Sequence, residues 1–222
     1  MMKCILLSNN NFDEQYCFDA MRRIIKPNMK VVCIPFASDL EWILSEIDGE
    51  LSYNGKFRNE QYKPFREFGI EEGNFHMLIP TDNMEFSKWK LDKADIIYFS
   101  GGNMENIESV LKELDLWNYI INISKDKIFI GASAGALILQ KIYHEVPFVD
   151  PNYTKYKRRK GLGFAKKICT LVHFNKENKK HIKNYRIVKR RTFRKKVIGL
   201  SDHSALIVIG DFVLPLGDVY IK

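Results

Sequence analysis

One serine in this sequence stands between two glycines, Gly131-Ala132-Ser133-Ala134-Gly135, after the apolar run Ile128-Phe129-Ile130 and before Ala136-Leu137-Ile138-Leu139. The spacing fits G-x-S-x-G, a nucleophile elbow, in which a serine sits on a sharp strand-to-helix turn and the glycines allow close backbone approach. Its hydroxyl is then open to attack a carbonyl. The amide of Ala134, at the start of the helix, faces the same point and can hold part of the resulting oxyanion. A serine needs a base, and the base an orienting acid. Of the five histidines, His173 stands at the end of a predicted strand, as Ser133 does, and reactive groups in an open α/β sheet gather at the carboxyl ends of strands. His76 falls inside a strand, His144 and His203 in turns, and His181 on a basic helix. Two carboxylates compete as the acid: Glu145, in the loop after the elbow helix, and Asp202, in the turn Leu200-Ser201-Asp202-His203-Ser204. Gly101-Gly102, at another strand end, can turn backbone N–H groups toward a substrate oxygen and complete the hole begun by Ala134.

The elements that must position these residues alternate strand and helix. Residues 3–8 and 30–36 read as strands, the second nearly all apolar and β-branched, as a parallel strand covered on both faces should be. Apolar residues from Phe12 to Ile25 recur at helical spacing, and Ser38-Asp39 caps a helix over 40–51 carrying Trp42, Ile43, Ile47 and Leu51. Residues 52–73 show little periodicity. Residues 75–80 and 94–99 read as strands, with a short helix around Trp89 and Leu91 between them. A helix with room for a break runs from Met104 to Ile123. After the elbow helix, residues 146–163 read as loop. Residues 165–172 form a strand leading to His173, followed by a lysine-rich helix to about Arg191. Runs at 196–200, 205–209 and 212–214, with Gly210-Asp211 as a hairpin turn, predict a closing antiparallel ribbon. The expected fold is a doubly wound α/β sandwich, mainly parallel, forming one domain over residues 1–222.

The composition, 45% hydrophobic and 28% charged, is that of a globular rather than a disordered chain. No apolar run approaches a membrane span, and the N-terminal one is too short for a signal-peptide core. Cys4, Cys17, Cys33 and Cys169 lie far apart, without a C-x-x-C pair, as buried thiols of a reducing cytoplasm do. No metal site or cofactor is suggested. The net charge of +8 is uneven: residues 155–196 hold 18 Lys or Arg against one acid, Glu177. That density can steer acidic peptides, or bind nucleic acid or an anionic surface without sequence preference.

Four ordered landmarks, Phe99-Ser-Gly-Gly-Asn103, Ile130-Gly-Ala-Ser-Ala-Gly-Ala136, Val172-His173-Phe174 and Gly199-Leu-Ser-Asp-His-Ser-Ala-Leu206, resemble the peptidase E family of serine peptidases. That family includes the aspartyl dipeptidases and, more distantly, cyanophycinase. The resemblance implies a flavodoxin-like sandwich related to class I glutamine amidotransferase domains. It implies Ser133 as nucleophile, His173 as base, and Gly102 and Ala134 as the oxyanion hole. Gly101 and Asn103 then flank the substrate. For the acid, Glu145-Val146-Pro147 resembles the acid-Met-Pro stretch of the family, while Asp202 matches an acid in the last-strand turn; Glu145 is preferred and Asp202 is the alternative. On the helix after the histidine, Lys183 stands where the dipeptidases carry an arginine for the substrate's acidic side chain, and Arg186 matches a second arginine. Lysine lacks arginine's bidentate fork, so strict aspartyl specificity is not expected.

The expected function is a cytoplasmic serine peptidase, dipeptidase-like and favouring acidic residues, acting on small peptides through an acyl-enzyme, with a homodimer left open. An α/β-hydrolase esterase fits less well, because that fold separates serine and histidine by far more than the 40 residues found here and puts the histidine near the C-terminus. The alternative from another class is a nucleic-acid or anionic-surface binding protein using residues 155–196, with an unreactive elbow; it lacks the repeated aromatic stacking positions of such modules.

Overall fold

The computed structural model describes residues 2–10, 12, 14–38, 55–147, 156–192 and 195–222. The expected helix over 40–51 lies outside them. The first strand, β1 (Lys3–Leu7), leads into a helix shorter than its sequence pattern, α1 (Gln15–Met21), and then β2 (Val31–Ile34). The weakly periodic stretch that follows holds a helix, α2 (Lys56–Glu67), with Pro64 inside it. Next come β3 (Phe75–Met77), α3 (Met84–Lys93) and β4 (Ile96–Phe99). The long helix is indeed broken, into α4 (Met104–Glu113) and α5 (Leu116–Asn122), at Asp115, whose φ of 50° no continuous helix allows. The elbow joins β5 (Ile128–Ala132) to α6 (Ala134–Ile138).

After α6 the structure departs from expectation. Residues 142–145 form a strand, β6 (Ile142–Glu145), paired antiparallel with β7 (Lys157–Lys160) inside the expected loop. Glu145 therefore sits on a strand. The chain continues through β8 (Ile168–Leu171), α7 (Lys179–Arg191), β9 (Lys196–Leu200), β10 (Ala205–Ile209), β11 (Phe212–Leu216) and β12 (Val219–Tyr220). The closing ribbon is β10 and β11, antiparallel to each other, with β10 also antiparallel to β1. By contrast, β9 leaves the ribbon to pair parallel with β8 and antiparallel with β12 in a sheet of three.

The main sheet has seven strands in the order β11-β10-β1-β5-β4-β2-β3, and the five from β1 to β3 are parallel. Successive side chains of a strand point to opposite faces, so a sheet covered on both sides needs apolar residues at every position. In β1, Cys4 and Leu6 pack on one face with Ile107, Leu111 and Ile138 of α4 and α6, while Ile5 and Leu7 pack on the other with Met21 of α1 and Phe65 of α2. All four cysteines are buried free thiols. Among the described residues, no helix is long and apolar enough to cross a membrane, and no cluster of His, Cys, Asp and Glu could hold a metal ion.

Candidate active site

Register brings three strand ends together. Leu7 pairs with Ala132, and Phe99 with Gly131, so the residues that follow, Ser8, Ser133 and Gly101, leave the sheet side by side. A Cβ placed on Gly101 would lie 3.2 Å from the Ser133 Cβ and 3.9 Å from its Oγ. Ser133 itself has φ 51° and ψ −112°, a combination costly for a residue with a side chain. The turn is held from both sides. The Ser133 N–H donates to Leu7 O at 3.0 Å, and the Ser133 carbonyl accepts from Ala136 and Leu137 of α6. Gly135 is required because a Cβ there would sit 2.1 Å from Phe99 O. Ala134 opens α6, so its N–H belongs to the first turn, whose amides have no carbonyl partner within the helix.

Opposite the serine, β8 ends two residues before His173, which also has a positive φ, 53°. Ser133 Oγ and His173 Nε2 are 2.8 Å apart. His173 Nδ1 and Asp202 Oδ1 are 2.5 Å apart. With Nδ1–H donating to the carboxylate, Nε2 presents its lone pair to the serine hydroxyl, the tautomer a general base needs. The side chains of His173 and Asp202 are 32% and 51% exposed, so the relay opens to solvent.

Glu145, preferred above as the acid, does not reach His173. Its side chain is wholly buried, and Oε1 accepts from Arg159 Nε at 3.0 Å. The reason is directional: β6 places the residue beside Lys157 and Arg159 of its antiparallel partner β7, whereas the turn between β9 and β10 delivers Asp202 beside the end of β8. Burial pushes the Glu145 carboxyl up, and the charges of Arg159 and Lys157 pull it back. Gly102 has φ 138°, and a Cβ on it would lie 2.2 Å from Ala37 O, so no other residue fits this loop. Asn103 caps α4: its Oδ1 accepts from Glu105 N–H at 2.8 Å, and its own N–H donates to Ala37 O at 2.7 Å. Lys183 and Arg186 are exposed on α7, with no salt bridge among the described residues.

Two residues near the site were not singled out from the sequence. Ser8 is fully buried, and its hydroxyl donates to Leu200 O at 2.9 Å while accepting the His173 N–H at 2.7 Å. Its position at the end of β1, level with Ser133, was the available signal. His181, on the first turns of α7, accepts the Asn175 N–H on Nδ1 at 2.9 Å and lies near the dyad: burial lowers its pKa, the Asp202 charge raises it and His173 lowers it. Nothing in its spacing marks it beyond standing on the helix after His173.

A doubly wound sheet with a serine elbow facing a histidine and a carboxylate at the strand ends is the arrangement of a serine hydrolase. The sequence narrows that class. The model of Peptidase family S51 matches residues 4–214, and the chain belongs to this family: it is a serine-type peptidase. Its fold is similar to that of a peptidase from an acI-B1 Actinobacterium, at 20% identity and a TM-score of 0.67, over 100% of this chain and 90% of that one. It is also similar to that of a candidate peptidase E from Listeria monocytogenes EGD-e, at 21% identity and a TM-score of 0.65, over 97% and 98%. No curated protein matches the chain in sequence.

Proposed function

We propose that the chain hydrolyses small peptides through a triad of Ser133, His173 and Asp202, with the amides of Gly102 and Ala134 as the oxyanion hole. The observation that carries the reading is the continuous line from Ser133 Oγ through the imidazole to Asp202, with contacts of 2.8 and 2.5 Å. In the first half-reaction Ser133 Oγ bonds to the peptide carbonyl carbon, its proton passes to His173 Nε2, and the carbonyl electron pair moves onto oxygen at the two amides. Collapse breaks the C–N bond, and the imidazolium returns its proton to the leaving amine. Water then enters by the same route, and the acyl-enzyme is hydrolysed.

A preference for acidic peptides is part of this proposal. Exposed Lys179, Lys180, Lys183 and Arg186 follow His173 and favour capture of carboxylates, an effect that fades as salt screens it. The binding-protein alternative loses ground on the same segment, because several of its cations are already matched. Lys157 and Arg159 pair with Glu105, Lys167 with Asp211, and Lys176 with Asp218. The test is cleavage of a dipeptide library at low and high salt. Ser133→Ala and His173→Ala should each abolish turnover. Asp202→Asn should cut it by about 10³–10⁴-fold, as expected when the imidazole tautomer is lost. A triad without Asp202 would show Glu145→Gln as the more damaging change.

A further inference from the structure

The buried carboxylate of Glu145 has its partner on β7, and that partner reaches further. Arg159 Nε donates to Glu145 Oε1 at 3.0 Å, while its Nη2 donates to Glu105 Oε1 at 2.6 Å. Lys157 Nζ donates to the same Glu105 oxygen at 2.9 Å. Glu105 stands in the first turn of α4, where its N–H is held by the Asn103 side chain at 2.8 Å. Asn103 follows Gly101 and Gly102, and Gly101 abuts Ser133. A line of contacts thus runs from a wholly buried acid on β6, through one guanidinium, to the loop packed against the nucleophile.

The burial pattern explains why the guanidinium stays in place. An ion pair between Arg159, 28% exposed, and Glu105, 52% exposed, holds little by itself in water. Glu145 is 0% exposed, and a carboxylate in that position needs a cation beside it. The buried acid fixes Arg159 by one edge, and the rigid planar fork then presents its other edge at a set point, where Glu105 docks.

We propose that Arg159 is a positioning residue for acyl transfer, which by bridging Glu145 and Glu105 fixes the start of α4 and keeps Gly101-Gly102 against Ser133. This rests on the triad and oxyanion reading above. It assigns a role to the acid that follows the elbow without touching the base. Arg159 acts through backbone placement, so its loss acts on the reaction step, beyond any effect on the fold.

The experiment is the second-order rate at which a fluorophosphonate labels Ser133. In that reaction Oγ bonds to phosphorus as its proton passes to His173 Nε2, the P–F bond breaks and fluoride leaves, and the phosphoryl oxygen occupies the oxyanion hole. Rates are taken well below each variant's unfolding temperature, with Ser133→Ala as the blank. Arg159→Met and Glu105→Gln should each slow labelling about 10- to 100-fold, the range expected for an ångström-scale misplacement. The double variant should be no slower than the slower single, because both break one line. Arg159→Lys, which keeps the charge beside Glu145 but not the fork, should recover only part of the rate. Labelling of Arg159→Met at the wild-type rate overturns the proposal while leaving the triad intact, and so does a double variant whose losses multiply. If the wild-type protein is not labelled at Ser133, the triad reading fails, and this proposal with it.

Discussion

Ser8→Ala isolates a part of the site that the sequence does not advertise. The Ser8 hydroxyl spends its one proton on Leu200 O at 2.9 Å and takes the His173 N–H at 2.7 Å, so it ties the end of β1 to the ends of β8 and β9. Alanine fits the space but leaves the His173 N–H unmatched, while Leu200 O keeps the N–H of Phe174 at 2.7 Å. At about 1–3 kcal/mol for one unsatisfied group, the fold should lose about that much. For a chain of this size that corresponds to a fall in Tm of about 2–12 °C. The kinetic consequence is separate. His173 is held at φ 53°, a conformation a side chain adopts only under constraint, and releasing its N–H lets the backbone relax away from it. An imidazole displaced by about 1 Å costs about 100-fold in rate, so kcat on the best dipeptide should fall 10- to 100-fold with KM little changed. Thermal unfolding followed by circular dichroism gives the first number, and steady-state kinetics 20 °C below the variant's Tm gives the second. A variant that loses stability but keeps wild-type kcat would refute the idea that this hydroxyl places the base.

Gly102→Ala should lower kcat by about 10²–10³-fold, the usual loss of one oxyanion donor, because its Cβ would sit 2.2 Å from Ala37 O and push the loop off Ser133; unchanged turnover would remove Gly102 from the hole. Acid should weaken the fold through His144. Burial, then the charges of Arg158 and Arg191, lower its pKa to about 4. The unfolded chain therefore binds the extra proton first, and the contribution of His144 is complete above about pH 6.5 and is lost as pH falls toward 4. In urea titrations wild type should lose more stability over that window than His144→Gln, and parallel curves would count against it.

The central strands were legible because a parallel strand buried on both faces must be apolar throughout, as β2, β4 and β5 are, and β1 beyond its first residue, Lys3. The same logic hid β7. Its sequence, Lys157-Arg158-Arg159-Lys160, has no apolar face, and it is a strand because β6 supplies the ladder and α4 the carboxylates. α2 was obscured by Pro64 and by aromatics that pack on strands distant in sequence, Tyr62 and Phe65 on Phe75 of β3 and Phe65 also on Tyr98 of β4. Ser133 and His173 stood out as candidates because each comes just after a strand. The acid did not, since Glu145 and Asp202 both sit near strand ends and only the pairing of β8 with β9 brings one of them to the imidazole.

The pairing of β1 with β10 has a consequence for when the enzyme becomes active. Lys3 faces Ile209, so the central sheet stays open along one side of β1 until about 200 more residues have been made. Asp202 lies just before β10, on the segment that closes that gap. Ser133 and its glycines can therefore be folded on the ribosome before Asp202, the acid of the proposed triad, reaches His173. Contacts that distant in sequence also form slowly. On that proposal a nascent chain carries Ser133 without its acid, so its own unfolded segments and its neighbours on the polysome are spared until the sheet closes.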